Sequence, residues 1–158
     1  MTIEAFDVVG ISTRTGTDHT LVGQQIGDLW HRFMAEGVMQ RIPQKTDGNI
    51  YSVYTDYEGN HEQPYTVVIG CRVPKDTEAP AGMTKATING GLYRQYIAQG
   101  DLTGPAIVQA WETIREANLD RKFTSDFEVY GDKARNPKEG EADVYVACLL
   151  YTSDAADD

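Results

Sequence analysis

The chain has 158 residues, 41% apolar and 24% charged, which fits one globular domain with its own core and excludes general disorder. Its formal charge is −10 and its 14 basic residues are scattered, with no run longer than Arg121-Lys122, so direct binding to a phosphate backbone is not expected. No apolar run approaches the roughly 20 residues that cross a bilayer, and Met1-Thr2-Ile3-Glu4-Ala5 lacks the basic and apolar segments of a secretory signal.

Phe6-Asp7-Val8-Val9-Gly10-Ile11-Ser12 reads as a largely buried strand, and Thr13 to Thr20 as a polar turn in which Asp18 or Thr20 can cap a helix. Val22, Ile26, Leu29, Trp30 and Phe33 follow at helical spacing, and Gly37 closes the segment. Ile50 to Tyr57 form a strand, Glu58 to Pro64 a turn, and Tyr65 to Val73 an apolar return strand, completing a βαββ unit. Pro74 to Gly82 has the composition of a linker. A second unit begins with Met83 to Ile88, turns at Asn89-Gly90-Gly91 and continues through Leu92 to Ile97. Thr103 and Pro105 open a helix on Ile107, Ala110, Trp111 and Ile114. The strand Asp126–Tyr130, a polar loop and the strand Ala142–Ala147 complete the unit.

The two units repeat each other. Ile26, Trp30 and Phe33 match Ile107, Trp111 and Ile114 at one constant offset, and Ile50-Tyr51-Ser52-Val53-Tyr54 matches Asp126-Phe127-Glu128-Val129-Tyr130 at a slightly smaller one. Surface loops tolerate such a length difference. Half-repeats of about 3–73 and 83–147 are each too short to bury a core, so a single domain over 1–147 is expected to share one between them. The implied fold is α+β: a mostly antiparallel sheet, two main helices packed on it, and a cleft between the halves.

The last eleven residues, Cys148 to Asp158, resemble the translation of a transposon-end adapter used in sequencing libraries, and the other reading is a genuine acidic, Ala-rich terminus. Cys71 and Cys148 are too few for a disulfide framework and lack metal-site spacing, so a reducing cytoplasm is the expected compartment. His19, His31 and His61 fall in different elements, and phosphate-binding glycine loops, nucleophile elbows and H-E-x-x-H are missing, so no metal or cofactor is expected.

Aromatic residues are the positive signal. Trp30, Tyr51, Tyr54, Tyr57, Tyr65, Tyr93, Tyr96, Trp111, Phe127 and Tyr130 all lie on predicted elements, where they can pack a core or stack on a flat or cationic ligand. Strand alternation puts Tyr51 and Tyr57 on one face and Ser52 and Tyr54 on the other, without saying which face meets the cleft. Glu128 shares a face with Tyr130; it either points to solvent or faces an aromatic cleft, where burial of its charge favours a cationic partner.

Taken in order, these segments resemble a stand-alone GyrI-like, or AraC-type, effector-binding domain of the bacterial multidrug-sensor superfamily, close to the integron-cassette effector-binding proteins. The resemblance rests on Phe6 to Ile11, Ile26-x-x-Leu29-Trp30-x-x-Phe33, Ile50 to Tyr57, Tyr65 to Gly70, Pro80-x-Gly82-Met83, Gly91-x-Tyr93 and Asp126 to Tyr130. It implies a duplicated βαββ module with pseudo-two-fold symmetry and a cleft for small cationic or amphipathic molecules. It places the family's acidic residue on Glu128 and a tyrosine on Tyr93. Relatives are often fused to helix-turn-helix domains, and this chain starts at the first strand, so it is expected not to bind DNA itself. The expected partner is a small organic cation, with a separate regulator or a second copy left open. Non-catalytic ligand binding is the first expectation. The alternative is hydrolysis of strained, cyclopropane-type electrophiles, with Glu128 as base and Tyr93 as acid.

Overall fold

A computed structural model of the chain describes residues 1–60 and 62–149, the side chain of His19 apart. His61 and most of the adapter-like tail therefore lie outside the described residues. Eight strands and three helices follow in the order β1 (Thr2–Ile3), β2 (Phe6–Arg14), α1 (His19–Ala35), α2 (Val38–Arg41), β3 (Ile50–Thr55), β4 (Thr66–Val73), β5 (Thr84–Ile88), β6 (Gly91–Gly100), α3 (Pro105–Glu116), β7 (Ser125–Tyr130) and β8 (Gly140–Ala147). The fold is α+β, as the sequence implies.

Local chemistry sets the boundaries of α1. The Asp18 carboxylate accepts the Thr20 backbone N–H at 3.0 Å, which caps the N-terminus. Gly37, at φ 60°, makes the left-handed exit that a side chain would resist. The chain then re-enters a helix for one turn, burying Val38, an element absent from the sequence reading. At α3 the N-cap is Gly104, and the Thr103 hydroxyl donates to Asp101 instead of capping the helix.

All strand pairs are antiparallel, in the order β1-β6-β8-β7-β3-β4-β2-β5. The two halves meet at the β3–β7 pair, with β4 and β2 outward on one side and β8 and β6 on the other. Each half also carries a strand from elsewhere in the chain. β5, expected to open the second unit, pairs with β2 of the first, and β1 pairs with β6 of the second. Only Asn89 and Gly90 separate β5 from β6, although β5 is one edge of the sheet and β6 is next to the other edge, β1. So short a link forces the sheet to curl.

The curl gives the sheet two different buried faces. Val9, Ile11, Tyr54, Val67 and Ile69 pack under α1 and α2, and Ala98, Ala142, Val144 and Val146 pack under α3. Phe6, Val8, Tyr51, Val53, Val68, Tyr93 and Phe127 fill the inside of the curl. Gly10 and Gly70 are paired across β2 and β4, and a Cβ on either would overlap the opposite main chain, at the Ile69 and Val9 carbonyl oxygens.

The register of β3 and β7 locates the symmetry axis. Ser52 pairs directly with Glu128, Val53 with Phe127 and Tyr51 with Val129. The repeat also equates Ser52 with Glu128. A residue paired with its own repeat image lies on the two-fold axis, so Glu128 stands at the centre of the sheet where the halves meet.

Candidate functional site: a carboxylate on the pseudo-two-fold axis

Alternation along β7 turns Glu128 to the helix side and its neighbours Phe127 and Val129 to the inside of the curl. The Glu128 side chain is 1% exposed. Its Oε2 accepts the Tyr54 hydroxyl at 2.7 Å and the Trp111 indole N–H at 2.8 Å, and Oε1 accepts the Tyr130 hydroxyl at 2.5 Å. Tyr54 and Tyr130 are repeat images, so the axis presents one hydroxyl to each side of the carboxylate. The tryptophans follow the same symmetry: Trp30 packs edge-on against Tyr130 at 4.9 Å, and Trp111 against Tyr54 at 5.4 Å.

These groups line a cleft of about 640 Å³ that opens between α1 and α3. The cleft also exposes Ile26 of α1, Ile107 of α3, and Tyr57 and Tyr65 beside the sheet. Its walls are mainly apolar and aromatic, with Glu62, Arg115 and Arg121 also lining it, and its floor is the Glu128 carboxylate.

The electrostatics are unusual for a structural glutamate. Burial raises the Glu128 pKa, and the three hydrogen bonds from Tyr130, Trp111 and Tyr54 pull it partly back. Burial and the adjacent Glu128 charge push Tyr54 and Tyr130 well above the usual phenol value, so both remain protonated donors. Among the described residues no Lys or Arg forms an ion pair with Glu128. The buried cation beside the cleft is already committed. Arg121 donates to Asp126 at 2.9 Å, with 6% and 0% of the two side chains exposed. Asp126 also accepts the Tyr57 hydroxyl at 2.6 Å and the Ala147 N–H at 2.8 Å. The Arg121 guanidinium lies 4.4 Å from the Phe123 ring centre and 5.5 Å from that of Trp111.

Of the residues singled out in the sequence, the structure brings Glu128, Tyr54, Tyr130, Trp30 and Trp111 together in the cleft. It places Tyr51, Phe127 and Tyr93 on the other face, inside the curl. Tyr51 donates to Asp47 at 2.7 Å, and Phe127 stacks on Tyr145 at 4.7 Å. The Tyr93 hydroxyl donates to the Asn89 carbonyl at 2.6 Å and lies 2.9 Å from the Ser125 hydroxyl. Glu128 and Tyr93, the base and acid of the hydrolytic alternative, thus face opposite sides of the sheet and do not flank one reacting centre.

Tyr57 corrects the alternation argument. It does not share a face with Tyr51, because β3 ends at Thr55 and Asp56 adopts φ 53°, which turns Tyr57 back to the cleft. Aspartate tolerates that conformation, so Asp56 was the one available signal. Tyr65, one of the aromatic set, also lines the cleft, as do Gly23 and Gly27, which the sequence did not single out.

Residues 1–148 match the model of a family described as Cass2, integron-associated effector binding protein. The chain belongs to this family. A curated relative is a Bacillus subtilis (strain 168) protein, YobU, named as a candidate transcriptional regulator; it is 24% identical over 143 residues, covering 87% of this chain and 89% of that one. Among solved structures, the Vibrio cholerae integron cassette protein VCH_CASS2 superposes with a TM-score of 0.72 at 23% identity, over 94% of both chains. The structure of SAV2435 bound to tetraphenylphosphonium superposes with a TM-score of 0.74 at 18% identity, over 94% of this chain and 92% of that one. At such identities the structural likeness establishes the Cass2 fold.

Proposed function

We propose that this Cass2 protein binds small organic cations with aromatic or bulky apolar substituents in the cleft between α1 and α3, without chemical turnover. One observation carries the reading: Glu128 is a buried carboxylate with three neutral donors and, among the described residues, no ion-paired cation, at the floor of an aromatic cleft. Burying an ionised carboxylate without a counter-charge is costly, and an incoming cation removes that cost. Trp30, Trp111, Tyr54 and Tyr130 are the rings whose faces can meet the cation, each cation–π contact contributing about 0.5–2 kcal/mol. Few directional contacts and a single buried carboxylate at the floor favour broad recognition over a single ligand.

The family description as an effector-binding protein, and a relative named as a candidate transcriptional regulator, support a sensing or sequestering role. The tetraphenylphosphonium held by SAV2435 supplies a first probe. Tryptophan fluorescence and thermal melting, with and without that cation, test the reading. The wild type should be stabilised in proportion to saturation and its fluorescence should change, whereas Glu128→Gln should respond to neither. Equal responses from both proteins would remove Glu128 from the account.

A further inference from the structure

Four glycines line the cleft, Gly16, Gly23, Gly27 and Gly104. The fold does not require glycine at any of them. None has φ in the left-handed region, and a Cβ on any of the four would meet no heavy atom within 4 Å. Elsewhere the chain uses glycine for a reason, as at Gly10 and Gly70, where backbones touch, and at Gly37, where φ is positive. Gly23 and Gly27 stand one turn apart inside α1, where glycine is among the least favourable residues for a helix. Two helix-weakening residues that pack against nothing, on the one face that borders a cleft, suit a wall kept low.

The internal repeat provides a comparison within the molecule. The numbering that aligns Trp30 with Trp111 and Ile26 with Ile107 also aligns Gly23 with Gly104, and Gly27 with Val108. All eight positions line the cleft. The two walls therefore correspond residue for residue, and at one of these four pairs the α3 wall carries an isopropyl group where the α1 wall carries none.

We propose that Gly27, with Gly23 one turn before it, is the specificity-determining position of the cleft: it admits cations with one bulky arm, which lies against the α1 backbone beside Trp30. This inference rests on the cation-binding reading and adds to it which wall takes the bulk. A row of small residues would not define a site alone; the independent pointer is the buried Glu128 carboxylate at the floor of the same cleft.

The test compares two probes of different size, tetraphenylphosphonium and benzyltrimethylammonium, by titration calorimetry on wild type, Gly27→Ala, Gly27→Val and Glu128→Gln. Gly27→Val should weaken tetraphenylphosphonium by about tenfold or more and Gly27→Ala by less, while benzyltrimethylammonium changes by less than about twofold. The melting temperature of the ligand-free variants should not fall, because alanine and valine both suit a helix better than glycine. Equal losses for both probes would overturn the inference, since the glycines would then act through α1 itself and not through room. Unchanged tetraphenylphosphonium affinity would overturn it too. If the wild type binds neither probe, the cation reading fails and takes this inference with it. If binding depends on Glu128 but ignores Gly27, this inference fails alone.

Discussion

Replacing Glu128 with Gln should stabilise the ligand-free protein at neutral pH while it removes affinity for cations. Gln keeps the shape of the side chain. Its Oε1 can accept the Tyr54 and Trp111 donors, and its Nε2 can donate to the Tyr130 hydroxyl, so no buried polar atom loses its partner. What disappears is the charge. Withdrawing a carboxylate from water costs several kcal/mol, against which three charge-assisted hydrogen bonds return about 1.5–3 kcal/mol each. The opposing contributions nearly cancel, and the raised Glu128 pKa, with burial as its largest cause, shows that desolvation prevails. Neutralisation therefore relieves the fold, and the gain is read as a rise in Tm, each kcal/mol being worth about 2–4 °C for a chain of this size. The pH dependence follows from the same shift. A folded pKa above the ordinary value of 4.5 means that the native state binds more protons than the unfolded state in that window. The Glu128 contribution to stability therefore falls as pH rises from the ordinary value through the folded one, then levels off, and the Gln variant lacks that slope. Urea denaturation of both proteins across this range isolates the effect, because the difference cancels the other titrating groups. A variant less stable than wild type at neutral pH, or a difference that does not change with pH, would refute the reasoning.

Two further predictions probe the surroundings of the site. Asp126→Ala strips a buried arginine of its counter-charge and leaves the Tyr57 hydroxyl and the Ala147 N–H unpaired, so denaturation should show a loss of about 3–5 kcal/mol. Tyr51→Phe loses only the hydrogen bond to Asp47, so stability should fall by about 0.5–1.5 kcal/mol. Because Tyr51 faces the inside of the curl, cation affinity by fluorescence titration should stay as in wild type. A cation affinity that falls with Tyr51→Phe would show that the two faces communicate.

Much of this architecture was legible in the residues. The seven longer strands and both long helices follow from the sequence pattern, and the repeat makes Glu128 the counterpart of Ser52 and Tyr130 the counterpart of Tyr54. What periodicity could not supply was the side of the sheet that carries the cleft, because both faces are buried and both are aromatic. Tyr51, Tyr93 and Phe127 therefore looked equivalent to Tyr54 and Tyr130. The curl that separates them arises from a long-range fact, the two-residue link between the β5 edge and β6 at the far side of the sheet, to which local pattern is blind. Tyr57 escaped for a local reason: one left-handed residue, Asp56, resets the alternation after it. Gly23 and Gly27 carry no signal in the sequence alone, since the space beside them exists only once α3 stands across the cleft.

Tetraphenylphosphonium and tetraphenylborate have nearly the same shape and opposite charge, so they separate the work of the carboxylate from that of the aromatic walls. Titrating both into wild type and Glu128→Gln measures directly whether Glu128 is the counter-charge of the cleft. The account predicts that wild type prefers the phosphonium by at least about tenfold and that the preference collapses in the variant. Equal affinity for the two ions in wild type, or a preference that survives in Glu128→Gln, would contradict it.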